Sequence, residues 1–308
     1  MMRYRKVAKR VSKTSLSRYT DLALKFANYL EATAQIKMRI SGVDLAKMQP
    51  VEHDMDYIHR WTVPYRKAVL SKFYQLETWL KDNPCPVTMM TLTGYQDGHV
   101  SRQVKGRALT VEDTFQLLNE SWKKLSMILR KEIPDLTYVW IVEPHASGYP
   151  HYHVVLFHAL TEAQQDRIRA LWSEKYVAGS LEHGVDFSVR TPETSVRSMR
   201  NYLMKYVAKG FVSAGSRFEP DTEWTPEQLV FNAVAWKHGY RLFGCSRNLS
   251  AVMAYQGEGR TGYIWYKMEI SNGFGDYSFP IWRKTKDEVR ACFSNLWTGL
   301  APPGCLGT

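Results

Sequence analysis

The sequence lacks the marks of a secreted, membrane-spanning or nucleotide-driven protein. Its 308 residues hold 4 cysteines, Cys85, Cys245, Cys292 and Cys305, far apart and with no CxxC pair. That excludes a disulfide framework and a structural zinc knuckle, and a reducing, cytoplasmic setting fits best. No apolar run reaches 18 residues, so no membrane span is expected. The basic start is not followed by an apolar stretch, so it does not read as a signal peptide. No GxxxxGK[ST] occurs, which argues against ATP-driven work through a P-loop. Acids are also in short supply, 30 against 41 lysines and arginines, for a net charge of +11. Such a surplus favours a polyanionic partner, nucleic acid ahead of an anionic membrane.

The charge is uneven. Residues 1–20 contain Arg3, Arg5, Lys6, Lys9, Arg10, Lys13 and Arg18 and no acid. An arm of this kind is either a solvated terminus or a set of phosphate contacts, with Arg3, Arg5 and Lys6 as candidates. Hydrophobic residues make up 44% of the chain, enough for a sizeable core.

Along the chain, residues 1–82 read as a basic, mostly helical region, with helices from Ser15 and over Tyr65 to Leu80. The stretch Asn83-Pro-Cys-Pro86 breaks it. Val87 to Thr93 is β-prone and alternating, a strand. Thr110 begins a long helix to Glu132, with Asp113 completing a capping box and Phe115, Leu118, Trp122, Leu125 and Leu129 at helical spacing. Leu136 to Val142 and His151 to Phe157 form a hairpin, and Thr161 starts a helix to about Tyr176. Val185 to Arg190 reads as an edge strand and Glu193 to Lys209 as a helix. Tyr240 to Gly244 and the aromatic stretch Tyr263 to Trp282 read as β. The order predicts an α+β fold: a central antiparallel sheet of about five strands with flanking helices, a helical N-terminal extension and a mixed C-terminal one. The expected division is 1–82, 83–212 and 213–308, the last completing the sheet or binding DNA.

Two constellations carry chemistry. In His151-Tyr-His153 the side chains alternate, so both imidazoles share one face. Glu143 has matching parity across the turn, and direct pairing puts it on that face too. Two imidazoles and a carboxylate can hold a divalent cation with positions left open. Nine histidines make a chance His-x-His roughly a one-in-four event, so the strand and the in-phase Glu143 carry the argument. His145 and His158 are competing ligands, the second of the wrong parity.

The second is NYLMKYVAKGF, residues 201–211. Tyr202 and Tyr206 share a helix face, with Lys205 and Lys209 on the neighbouring stripe and Arg197 and Arg200 upstream. Tyrosines four apart more often pack than react. A phenol has an ordinary pKa near 10 and needs help to become a nucleophile. A lysine beside it and a cation across the site would supply that help, and the basic helix suits phosphates.

Taken in order, three motifs resemble those of the HUH endonucleases, the rolling-circle replication initiators of plasmids and single-stranded DNA viruses. They are MMTLT at 89–93, PHYHVVLF at 150–157 and YLMKYVAK at 202–209. The last is similar to the two-tyrosine motif of small-phage A proteins and of archaeal plasmid and pleomorphic-virus Rep proteins. RLFGCSR at 241–247 looks like a segment that follows the catalytic helix in such proteins, a looser match. Tyr152 is less apolar than the usual middle residue of the second motif.

The resemblance implies a nicking and joining enzyme acting on single-stranded origin DNA through a 5′-phosphotyrosine. Tyr202 and Tyr206 would be the nucleophiles, assisted by Lys205 and Lys209. Glu143, His151 and His153 would hold Mg²⁺ or Mn²⁺. Double-stranded origin DNA, host polymerase and host helicase are the implied partners, and the host cytoplasm the implied setting. Other readings are a relaxase or transposase of the same superfamily, or a non-catalytic basic DNA-binding protein whose tyrosines stack on bases.

Overall fold

The computed structural model describes residues 3–44, 46–95, 109–194, 199, 224–252, 263–272 and 275–280. In chain order the elements are α1 (Arg3–Val11), α2 (Thr20–Thr33), β1 (Lys37–Asp44), β2 (Gln49–Asp56) and α3 (Val63–Asp82). Then come β3 (Val87–Thr93), α4 (Val111–Glu132), β4 (Tyr138–Pro144), β5 (Pro150–Leu156), α5 (Glu162–Ala170) and β6 (Val185–Arg190). The C-terminal part adds α6 (Pro226–Lys237), β7 (Phe243–Cys245), α7 (Arg247–Val252), β8 (Tyr263–Asn272) and β9 (Gly275–Pro280).

The fold is α+β, with a five-stranded antiparallel sheet in the order β6-β3-β5-β4-β7. Every residue of the central strand β5 is buried. Its composition explains the position: β-branched and aromatic residues suit a pleated surface covered on both faces. One face carries Tyr152, which packs against Trp140 and, with Tyr138, under Trp122 of α4. Trp122 belongs to the buried stripe of α4 that also holds Phe115, Leu118, Leu125 and Leu129. Thr110 caps this helix: its Oγ1 accepts from Asp113 N, and Asp113 Oδ2 accepts from Thr110 N. The other face carries His151 and His153. Toward its β7 edge, Phe73 of α3 packs edge-on against Phe243.

Helices α1 and α2 pack on each other and on α6, burying Val7, Ala8, Val11, Phe26 and Ala27. Tyr4 meets Trp224, and Phe26 lies between Trp61 and Trp224. The Tyr19 hydroxyl accepts from Val111 N at 3.1 Å, satisfying one of the open donors at the start of α4.

The helical reading of the N-terminal region differs from the structure at Lys37–Asp56, which is the hairpin β1–β2. The other edge of β1 pairs with β8, giving a second antiparallel sheet in the order β2-β1-β8-β9. A partner strand so far along the chain overrides local preference, and propensity cannot reveal it. The expected strand at Tyr240 to Gly244 is shorter and later, Phe243–Cys245. Among the described residues, no helix is long and apolar enough to cross a membrane.

Candidate metal centre

The β4–β5 hairpin sets the site. Glu143 pairs directly with His151, and Ile141 with His153, so the three polar side chains share a face. The connection closes with His145 N donating to Tyr149 O at 2.7 Å and Gly148 N donating to His145 O at 2.8 Å. Gly148 takes a φ of 84°, the left-handed region that favours glycine.

At the centre, Oε1 of Glu143 is 2.8 Å from Nε2 of His151 and 2.9 Å from Nε2 of His153. All three groups are buried, Glu143 to 2% exposure. Burial pushes the Glu143 carboxyl up, but the hydrogen bonds from both imidazoles outweigh it and hold the group down to about 2. It is therefore an anion at neutral pH, despite its surroundings.

One donor atom from each of these residues lies within 4.8 Å of the others, and among the described residues this is the one such group. A hard divalent cation at about 2.1 Å from cis donors needs them about 3 Å apart. The two carboxylate–imidazole distances already meet that spacing. The donor set fits Mg²⁺ or Mn²⁺, with imidazole suiting Mn²⁺ better.

The neighbours fix the ligands. Thr91 pairs with His153 and Thr93 with His151 on β3. Thr91 Oγ1 lies 3.3 Å from His153 Nδ1. The end of β3 is pinned in turn. Thr93 N donates to Gly184 O at 2.8 Å, and its carbonyl accepts from Trp172 Nε1 at 3.1 Å. A Cβ on Gly179 would run into that same carbonyl. The His145 ring stands edge-on to His151, centroids 5.8 Å apart, with its Nδ1 at 3.1 Å from Ser147 Oγ. It is a neighbour of the cluster, not one of its three members. His158 contributes its backbone carbonyl to Thr88 Oγ1 and is also outside the cluster.

The other expected site residues are distributed differently. Tyr202, Lys205, Tyr206, Lys209, Arg197 and Arg200 lie outside the described residues. Arg3 begins α1. On that helix Arg5 meets Glu31 at 3.0 Å and Asn28 at 2.9 Å, while Lys6 is exposed. Arg5 thus has a structural partner, tying α1 to α2. Sequence reasoning passed over Thr91 as a supporting residue. Its signal was there in Thr91 and Thr93, the polar positions of an otherwise apolar strand, in phase with the histidines.

A hairpin presenting a buried carboxylate and two imidazoles, on a five-stranded antiparallel sheet, is the setting in which the comparisons fall. Residues 87–211 match a family of replication-associated proteins named for ORF2. This bears out the resemblance carried by the three motifs: in class, this is a replication-associated protein of the phage and plasmid rolling-circle type. Among its relatives is the "Replication protein" of Haemophilus phage HP1, 26% identical over 189 residues, covering 58% of this chain and 24% of that protein. Another is the "Probable replication protein P12" of Pseudoalteromonas phage PM2, 26% identical over 185 residues, 58% of this chain and 29% of that one. A third is an "Uncharacterized 36 kDa protein" of Halobacterium salinarum, 27% identical over 221 residues, 64% and 66% of the two chains. The chain thus spans about a quarter of the length of the two phage relatives. No solved structure matches it.

Proposed function

We propose that this protein nicks and rejoins single-stranded origin DNA, starting and ending rolling-circle replication. The observation that carries the reading is the Glu143/His151/His153 cluster, placed by strand register inside the segment that matches the replication-associated family. Glu143, His151 and His153 would hold Mg²⁺ or Mn²⁺, which when bound supplies a Lewis acid for the scissile phosphate.

A phenolate of Tyr202 or Tyr206 attacks that phosphorus. The new bond is tyrosine O–P, and the bond broken is P–O3′. The leaving O3′ takes a proton and becomes the free 3′-OH that a host polymerase extends. The strand's 5′ end stays on the enzyme as a phosphotyrosine. Lys205 and Lys209 stabilise the phenolate beside them. With two tyrosines, one can cut the regenerated junction while the other still holds the first end. Arg197, Arg200, Arg3 and Lys6 are proposed to contact DNA phosphates, and Arg5 to the extent that its contacts with Glu31 and Asn28 allow. Double-stranded origin DNA and a host helicase complete the expected partners.

The test uses labelled single-stranded DNA from the protein's own replicon with Mn²⁺, looking for an SDS-resistant adduct and mapping it by mass spectrometry. Tyr202→Phe with Tyr206→Phe is expected to bind DNA and form none. Adducts from that double variant would place the nucleophile elsewhere. DNA binding by the native protein with no adduct would favour the non-catalytic reading instead.

A further inference from the structure

Beside the metal centre, the loop before α3 and the turn into β7 meet at the sheet edge. They enclose a cavity of about 340 Å³ lined by Arg60, Tyr65, Arg241, Leu242 and Phe243. Pockets of this order hold small ligands, and this one is large enough for a single nucleotide. Two of its five lining residues are arginines, and none is an acid.

The arginines are coupled through the backbone. Arg60 Nη1 donates to Tyr240 O, the carbonyl next to Arg241 in sequence. The Arg60 guanidinium also sits over the Trp61 ring, 5.2 Å from its centroid. These contacts hold the planar group in place before any ligand arrives. A guanidinium offers five N–H donors in a fixed fork, and such a fork matches a phosphate's oxygens. Arg241 is exposed and can approach the same anion from the other wall.

Position ties the cavity to the cluster. In the β4–β7 pairing Ile141 faces Phe243, and Val142 N donates to Leu242 O at 2.8 Å. Continuing that register by one residue sets the backbone of Arg241 level with Glu143, about one strand spacing away, or roughly 4.8 Å. Phe243, which lines the cavity, pairs with the residue that pairs with His153.

We propose that this cavity is a second DNA subsite. Arg60 and Arg241 grip a phosphate next to the scissile one, and Tyr65 offers an aromatic face to its nucleotide. The assignment of the ligand as a DNA strand rests on the nicking function proposed above. The cavity itself rests on Arg60, Arg241 and their register to Glu143.

The experiment measures binding of a labelled mixed-sequence single-stranded oligonucleotide to the full chain by fluorescence anisotropy, in EDTA, across a salt series. Arg241→Gln, at an exposed side chain, is expected to weaken binding about tenfold. It should also reduce the slope of log K against log salt by about 0.7, one phosphate contact on a single strand. Mn²⁺ affinity should not move. Arg60→Lys keeps the charge but not the fork and should fall between the two proteins. Unchanged affinity and salt slope in Arg241→Gln would overturn the subsite, whatever the nicking assay shows. A reduced slope together with no covalent adduct from the native protein would support the subsite and sink the nicking reading.

Discussion

The Thr91 hydroxyl lies 3.3 Å from Nδ1 of His153, while Nε2 of the same ring lies 2.9 Å from Glu143. One imidazole is therefore held at both nitrogens, by groups on the two strands that flank β5. When Nε2 gives its proton up to bind a cation, Nδ1 carries the remaining one, and the hydroxyl becomes its acceptor. Outer partners of this kind orient a ligand and raise its basicity. Thr91→Val keeps the shape and removes the acceptor. It should lower Mn²⁺ affinity about tenfold with little loss of fold, measured by titration against unchanged circular dichroism. An affinity equal to the native value would show that Thr91 only packs.

Glu143 is the charge of the centre. Its Gln replacement is nearly isosteric but neutral, and its amide nitrogen can only donate. Glu143→Gln should cost at least about a hundredfold in Mn²⁺ affinity, since outer-shell losses alone reach that size. Calorimetric titration of both proteins checks it. Retained tight binding would exclude the carboxylate as a ligand.

A pH dependence follows from His59, far from the centre in sequence. Burial holds this imidazole down to about 4. Its Nε2 lies 3.0 Å from Thr33 Oγ1. Unfolded, it titrates near 6.5. The folded pKa is depressed, so the unfolded chain binds the proton first. This contribution is fully present above about 6.5 and is lost as pH falls toward about 4. The loss should be about 2–3 kcal/mol across that window. Urea unfolding of the native protein and of His59→Gln over the same range should show the slope in the first and its reduction in the second.

Gly179 has a different task. The loop it belongs to passes so close to Thr93 O that any Cβ meets the carbonyl. Gly179→Ala must move either the loop or the end of β3, at a cost of about 1–3 kcal/mol. A lowered urea midpoint would register it. Because Thr93 pairs with His151, Mn²⁺ binding should weaken in the same variant. A midpoint unchanged from the native one would show that the loop can give way.

Much of the centre was legible before the structure, for a simple reason. The parity of His151, His153 and Glu143 depends only on strand alternation across a short turn, and a hairpin leaves few alternatives. The α4 cap was readable on the same terms, since Thr110 and Asp113 are three residues apart and act locally. What escaped depended on distant pairing. The strand Lys37–Asp44 has polar and small residues among its apolar ones, and its second partner is β8, near the other end of the chain. Three-residue β7 is too short for a periodic signal. Its place is fixed by pairing with β4 and by Ser246, whose N–H donates to Tyr138 O at 2.9 Å. Thr91 stood in plain view, but only the assembled sheet shows that its hydroxyl reaches a histidine.

That short strand has a consequence for anyone dissecting the chain. The family match ends at residue 211, yet the fifth strand begins at Phe243. A fragment trimmed to the matched segment would bare the hydrogen-bonding edge of β4, the strand that carries Glu143, and invite it to pair with another copy. It would also lose the Arg241 wall of the cavity. The smallest piece that could stand in for the whole must run on through Cys245 and keep Arg60 as well. The working unit is thus wider on both sides than the stretch by which its kinship is detected.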